Sequence, residues 1–332
     1  MIFQTPILAL LLVATLASLV ALWSGAFAVR VLWRWDLANM SRAQLRMERA
    51  TELVSTLFGF VMLAELAALL LFVFNADRMA SLFVGAMCAV GTLNVNAYGF
   101  PALYVKIAVA FAAVLWLILD RTDRMGRDYP LTRVKYAALL LIVPLVLADL
   151  GLELAYFLNM QTDVITSCCS KLFTPANPGL SDEMASLAPA TALWLLGGTG
   201  AALALIGALA LRTGVGVRLY ALASAAMFAI ALAAIVAVVS SYIYDHPNHH
   251  CPFCILKPEY GYYGYALYVP LFFGTAMGLG AGLLRPFRKV DSLKSALPTL
   301  VRRQVIASMV AYALFGLAVI YAIATSQLIL FG

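Results

Sequence analysis

Apolar residues in this chain come in long unbroken blocks, and short polar, basic connections separate them. Alternation of the kind that marks half-buried strands is absent. A helix needs about 20 consecutive apolar residues to cross a bilayer, and eight blocks meet or approach that length. They are Ile7–Val29, Glu52–Phe74, Pro101–Leu119, Tyr136–Leu158, Pro189–Leu211, Leu219–Ile243, Tyr262–Leu284 and Val305–Leu330. The pattern predicts an all-α integral membrane protein: a bundle of about eight transmembrane helices forming a single polytopic membrane domain over residues 1–332, with the lipid bilayer as its first partner. Composition agrees, at 64% hydrophobic and 11% charged residues, far from the balance of a soluble domain.

The connections separate by charge. Those after spans one, three, five and seven hold five, five, two and six basic residues, 18 of the 22 Lys and Arg. The positive-inside rule then expects these loops in the cytoplasm and both termini extracytoplasmic, in a multi-pass protein of the cell inner (cytoplasmic) membrane. The net charge of +6 is explained by those loops and calls for no nucleic-acid partner. Met1 to Leu10 carries no Lys or Arg, so the first block reads as a retained helix rather than a secretory signal.

Residues 75–100 break the pattern. Met79 to Phe100 starts apolar and becomes rich in Gly and Asn, which predicts a re-entrant or interfacial segment. A ninth crossing there would reverse every later loop against the charge bias. Cys88, set among small residues, reads as a packing residue, since a free cysteine often behaves as a small hydrophobe.

The chemistry lies in two polar connections expected on the extracytoplasmic side, 159–188 and 244–261. The first carries the vicinal pair Cys168-Cys169, and the second carries Asp245-His-Pro-Asn-His-His-Cys-Pro-Phe-Cys254. Together they hold all three histidines (His246, His249, His250) and four of the five cysteines. Cys251-Pro-Phe-Cys254 has the spacing of a dithiol that cycles with a disulfide, and an adjacent protonated His249 or His250 would favour its thiolate. Cys168-Cys169 supplies a second couple or a resolving partner. This layout resembles the quinone-linked disulfide-forming membrane enzymes, the vitamin K epoxide reductase and DsbB groups, in placing four cysteines at the outer face over about four spans. The chain departs from them in its eight spans, adjacent rather than separated loop cysteines, and histidine cluster. The resemblance implies a thiol–disulfide oxidoreductase that passes electrons to a quinone and works with extracytoplasmic redox proteins.

Other readings of the same residues stay open. His246, His249, His250, Cys251 and Cys254 form a compact ligand string suited to a soft transition metal of the Cu or Zn type, with metal-carrier proteins as partners. The four loop cysteines also fit a structural staple of unspecified connectivity, and the chain fits a non-catalytic membrane subunit of a respiratory assembly. Covalent c-type haem is not expected, because Ile255 rather than His follows the second cysteine. No nucleotide fingerprint and no HExxH string is present.

Four ionisable residues fall inside the blocks: Glu65, Lys106, Asp149 and Glu153. Charge at that depth is costly. Lys106 is expected to pair with Asp149 or Glu153, or the group serves a proton path, a quinone-side acid or a cation route. Tyr260 to Tyr265 with Tyr268 reads as an interfacial aromatic belt. Gly197, Gly198 and Gly200, and Gly274, Gly278 and Gly280, are expected to permit close helix contact.

Overall fold

The computed structural model describes residues 5–35, 41–126, 128–161 and 187–328. Cys168 and Cys169, with most of the connection 159–188, lie outside the described residues. Among the described residues there is no strand, and eight helices are long and apolar enough to cross a membrane. The chain is an all-α, multi-pass membrane protein.

Its helices are α1 (Thr5–Arg34), α2 (Arg42–Arg78), a short α3 (Ala89–Leu93), α4 (Gly99–Asp123), α5 (Thr132–Leu158), α6 (Pro189–Thr213), α7 (Val217–Tyr244), α8 (Tyr263–Leu284) and α9 (Leu297–Thr325). Several extend past the apolar block that predicts them. Helix α2 begins ten residues before Glu52, where Ser41 caps it by accepting a hydrogen bond from Gln44 N at 3.2 Å. Helix α9 begins at Leu297, with a proline in its first turn. Residues 79–100 do not form a crossing helix. They contain a single 3-10 turn, Met79–Leu82, then a bend at Gly85 (φ +86°) and the five-residue α3.

The helices sort into two compact units. In the first, α1 packs on α2 and α5, and α4 packs on the same two, closing a four-helix ring. The inner face of α1 is made of small residues (Ala14, Ala17, Ser18, Ala21, Ser24, Gly25, Ala28), which lets the backbones approach as membrane helices require. Leu12, Leu16, Leu19 and Trp23 on the same helix are exposed, the apolar outer face expected against lipid. Phe58 and Trp116 meet edge to face at 4.8 Å in the core. At one end of this ring, Lys135 Nζ lies 3.0 Å from Asp120 and 2.8 Å from Asp123, and Asp123 also accepts from Leu131 N at 2.8 Å.

The second unit closes the same way: α7 packs on α6 and α8, and α9 packs on α8 and α6. Segment Gly85–Gly91 also belongs to this unit. Hydrogen bonds from hydroxyls cross its core. Tyr220 donates to Ser308 at 2.9 Å, Ser308 donates to Gly274 O at 2.6 Å, and Tyr312 donates to Ser224 O at 3.1 Å. Such bonds need close helices, and the glycines of α8 supply the room. A Cβ at Gly278 would stand 2.8 Å from Ser224 Cβ, and one at Gly274 would stand 3.3 Å from Ala311 and Tyr312. The glycines of α6 differ from expectation. A Cβ at Gly197 or Gly198 would meet nothing within 4 Å, and one at Gly200 would touch only Met227 at 3.9 Å. The close approach on α6 comes instead at Gly207, where a Cβ would stand 2.9 Å from Tyr220. Periodicity places small residues on a face without saying whether another helix covers that face.

Gly278→Val should therefore destabilise the protein by about 1–3 kcal/mol through overpacking. Gly197→Val should change stability by no more than about 0.5 kcal/mol. Thermal unfolding of the two variants in one detergent compares them, and equal shifts would contradict this packing.

Candidate functional site

The site is assembled in the second unit from the α7–α8 connection and segment Gly85–Gly91. Helix α7 does not end as a regular helix. Ile235–Val239 forms a π turn, all five residues buried, before the last turn Ser240–Tyr244. A π turn leaves carbonyls without their usual i+4 partners. Here the Val236 carbonyl accepts from Ser240 Oγ at 3.2 Å and from His250 Nδ1 at 3.0 Å. Against a carbonyl the imidazole must donate, so His250 carries its proton on Nδ1. Ser241 Oγ lies 3.3 Å from the same nitrogen. His250 thus pins the start of the Cys-Pro-Phe-Cys turn back onto α7.

Two tyrosines hold that turn from the helices on either side. Tyr244 donates to Cys251 O at 2.5 Å and Tyr268 donates to Pro252 O at 2.8 Å. Tyr268, expected only as part of an aromatic belt, fixes the loop that bears the thiols. Cys254 opens a 3-10 turn, Cys254–Leu256, closed by Lys257 N donating to Cys254 O at 3.0 Å. The first turn of α8 sits close against it. A Cβ at Gly264 would stand 2.8 Å from Leu256 and 3.0 Å from Ile255, so a side chain there would push the turn away. Lys257 Nζ reaches across to donate to Met87 O at 2.5 Å, tying the loop to the residue before Cys88.

This framework brings three thiols together. Cys88, Cys251 and Cys254 are buried and form no disulfide, and their sulfurs all lie within 4.8 Å of one another. Cys88 Sγ and Cys251 Sγ are 3.3 Å apart, outside the roughly 2.05 Å of a disulfide. Cys88 is the residue that sequence reasoning passed over as packing. Its surroundings do pack it, at 0% exposure, but its thiol faces two others. The available signal was the Gly- and Asn-rich run that follows it, unsuited to a crossing helix.

The histidines are not members of this sulfur set. His246 is exposed and its Nδ1 accepts from Asn248 N at 3.2 Å. His249 stacks on Tyr244 with ring centroids 4.0 Å apart, and its Nε2 is buried without a hydrogen-bond partner. Of the five-residue string His246, His249, His250, Cys251 and Cys254, only the cysteines converge. Cys88 joins them, and the imidazoles brace the loop or point elsewhere.

Charge around the thiols follows from burial. His249 is held below the usual imidazole range, first by burial and then by His246 and His250 beside it, so it is neutral at pH 7 and does not act as the cation that would draw out a thiolate. The Cys251 thiol is pushed above the ordinary thiol range, first by its contact with Cys254 and further by burial, against the opposing contact with Cys88. For Cys254 the Cys251 contact acts downward, and the Cys88 contact with burial outweighs it, so this thiol too is raised. Cys251 and Cys254 therefore rest as neutral thiols at pH 7. Such thiols are slow nucleophiles, yet they remain good ligands once a metal displaces their protons.

Comparison of the chain with protein-family models, with curated proteins and with solved structures gives no match. The chemistry of the site itself must carry the functional reading.

The raised thiols predict slow alkylation. Free cysteine titrates near pH 8.5, so its alkylation rate levels off soon above that value. The rate for Cys251 and Cys254 should stay below it and keep rising with pH beyond about 9, because depletion of the thiol form is delayed. Mass-spectrometric counting of iodoacetamide adducts across pH measures this, and a plateau at or below about pH 8.5 would contradict it.

Proposed function

We propose that this protein binds a soft, thiophilic transition-metal cation through Cys88, Cys251 and Cys254, and handles it at the membrane as a capture, sensing or transport protein. The observation that carries this reading is the convergence of three buried thiols, with Cys88 and Cys251 163 positions apart in sequence. Packing alone does not call for such a meeting. Three thiolates bound at about 2.3 Å to one ion stand roughly 4 Å from each other, a spacing that a set confined within 4.8 Å reaches by small adjustments. An all-sulfur, low-coordinate, buried set selects Cu(I) and other soft ions over Mg or Ca. The hydrogen-bonded loop supports the reading too, since metal ligands are held in place by partners behind them. Tyr244, Tyr268 and His250 act as such partners here, through the backbone. The basic connections after the odd-numbered spans favour an extracytoplasmic position for the thiols in a cytoplasmic membrane. Metal-carrier proteins of that compartment are the partners this implies.

A second reading, thiol–disulfide electron transfer, is favoured by one observation, the direct 3.3 Å contact between Cys88 and Cys251. Oxidation of that pair would form one S–S bond and release two protons and two electrons, the electrons passing to a quinone in the bundle. Cys254 would then resolve the bond by exchange. The neutral, raised state of Cys251 and Cys254 weighs against it, because exchange proceeds through a thiolate.

Metal analysis and thiol counting on one purified sample separate the two. On the metal reading, the reduced protein takes up one equivalent of Cu(I) against a competing chelator. Cys88→Ser, Cys251→Ser and Cys254→Ser should each weaken binding by more than the 10–100-fold that loss of an outer-shell partner costs. Binding should weaken as pH falls, since each thiol must lose its proton to ligate. A protein that takes up no metal but gains and loses two alkylatable thiols on reduction and oxidation would establish the redox reading instead.

A further inference from the structure

The first unit contains a second chemical group, independent of the thiols. Lys106 on α4 projects between Glu65 on α2 and Asp149 and Glu153 on α5. Its Nζ lies 2.8 Å from Asp149, 3.3 Å from Glu153 and 3.8 Å from Glu65, and all four side chains are 0–1% exposed. Three carboxyls thus surround one ammonium inside membrane-crossing helices. Only the Asp149 contact is a hydrogen bond. Both oxygens of Glu65, both of Glu153 and Oδ1 of Asp149 are buried with no hydrogen-bond partner.

These unpartnered carboxyl oxygens define what is missing. If all three acids were ionised, the pocket would hold two negative charges beyond what Lys106 compensates, with a hydrogen-bond donor from the described residues on Asp149 Oδ2 alone. Uncompensated charge in such surroundings is strongly disfavoured, and carboxylates that share a site do not all ionise. Among the described residues no other charge is at hand, and on α2 the nearest ionisable residues, Glu52 and Asp77, sit far from Glu65 along the helix. Helix α1 carries none between Thr5 and Val29, and the remaining ionisable groups of α4 and α5 nearest in sequence sit at the far ends, where Lys135 binds Asp120 and Asp123. Tyr156, one turn beyond Glu153, spends its hydroxyl on Thr92 O at 3.1 Å. Beyond the described residues, the compensating charge comes as protons or as a bound cation. Lys106 decides between them: its ammonium already occupies the place between the carboxyls that a metal cation would need, and Phe72 lies beneath it at 5.9 Å from ring centroid to nitrogen.

We propose that Glu65, Asp149 and Glu153 together bind two exchangeable protons around Lys106, making the first unit a proton-carrying site within the membrane. The graded distances from Lys106 to its three partners suit that role. As one acid gives up its proton, the ammonium turns to the new carboxylate, so the charge that appears is met by a flexible side chain already in place.

Infrared spectroscopy of the purified full-length protein, compared in H2O and D2O, tests this through the carbonyl band of protonated carboxylic acids. At about pH 7 the wild type should show this band. Glu65→Gln and Glu153→Gln should each lose about half of it, and the double variant should lose nearly all, leaving a simple Lys106–Asp149 pair. Absence of the band in the wild type would overturn the proposal without recourse to any variant. A band unchanged in all the variants would overturn it as well. Loss of the wild-type band on adding Na+ or K+ at constant pH would overturn it in favour of an alkali cation.

Discussion

A polar group that leaves water inside a helical bundle has to find its partner within the protein, because lipid offers none. That constraint shapes both halves of this molecule. The backbone meets it by forming helices, and side chains meet it one at a time. Lys135 does so with Asp120 and Asp123, Tyr220 does so with the Ser308 hydroxyl, and Ser308 and Tyr312 do so with carbonyls of other helices. Where the books do not balance, as around Lys106 and among the three thiols, the residue types left over are ones that bind protons or soft metals.

The thiol site shows how a loop is made rigid enough for such a task. The ten residues from Asp245 to Cys254 contain little regular structure, yet the turn is tied at Cys251 O, Pro252 O and the His250 ring to side chains or backbone of α7 and α8. The π turn in α7 matters because it exposes a carbonyl for His250 to reach. Gly264 matters because it lets α8 begin directly against the 3-10 turn that carries Cys254. The imidazoles and phenols around the sulfurs do mechanical work. They set where the thiols stand, and burial then sets the thiols' charge.

Some of this arrangement is legible along the chain and some is not. The eight crossings, their order and the polar connections follow from block hydrophobicity, which needs no knowledge of neighbours. Cys251 and Cys254 stand out because cysteines in a polar loop have few other uses. Cys88 does not stand out, because a cysteine among Gly, Ala and Met looks the same whether it faces a methyl group or another sulfur. The glycines of α6 mislead for a related reason: Gly197 and Gly198 are small enough to admit a close neighbour, but a Cβ at either would meet nothing within 4 Å.

Composition and the length of each apolar block determined, unaided, that this is a helical membrane protein, since the energy of leaving water is a property of each segment alone. They also marked Glu65, Lys106, Asp149 and Glu153 as costly residues in need of company. Which atoms meet was decided only by the tertiary structure. A third sulfur beside Cys251, imidazoles turned to bracing, and one ammonium shared by three acids are outcomes of helix packing and loop anchoring. Those depend on distances between segments far apart in the chain, and no local pattern of residues encodes such a distance.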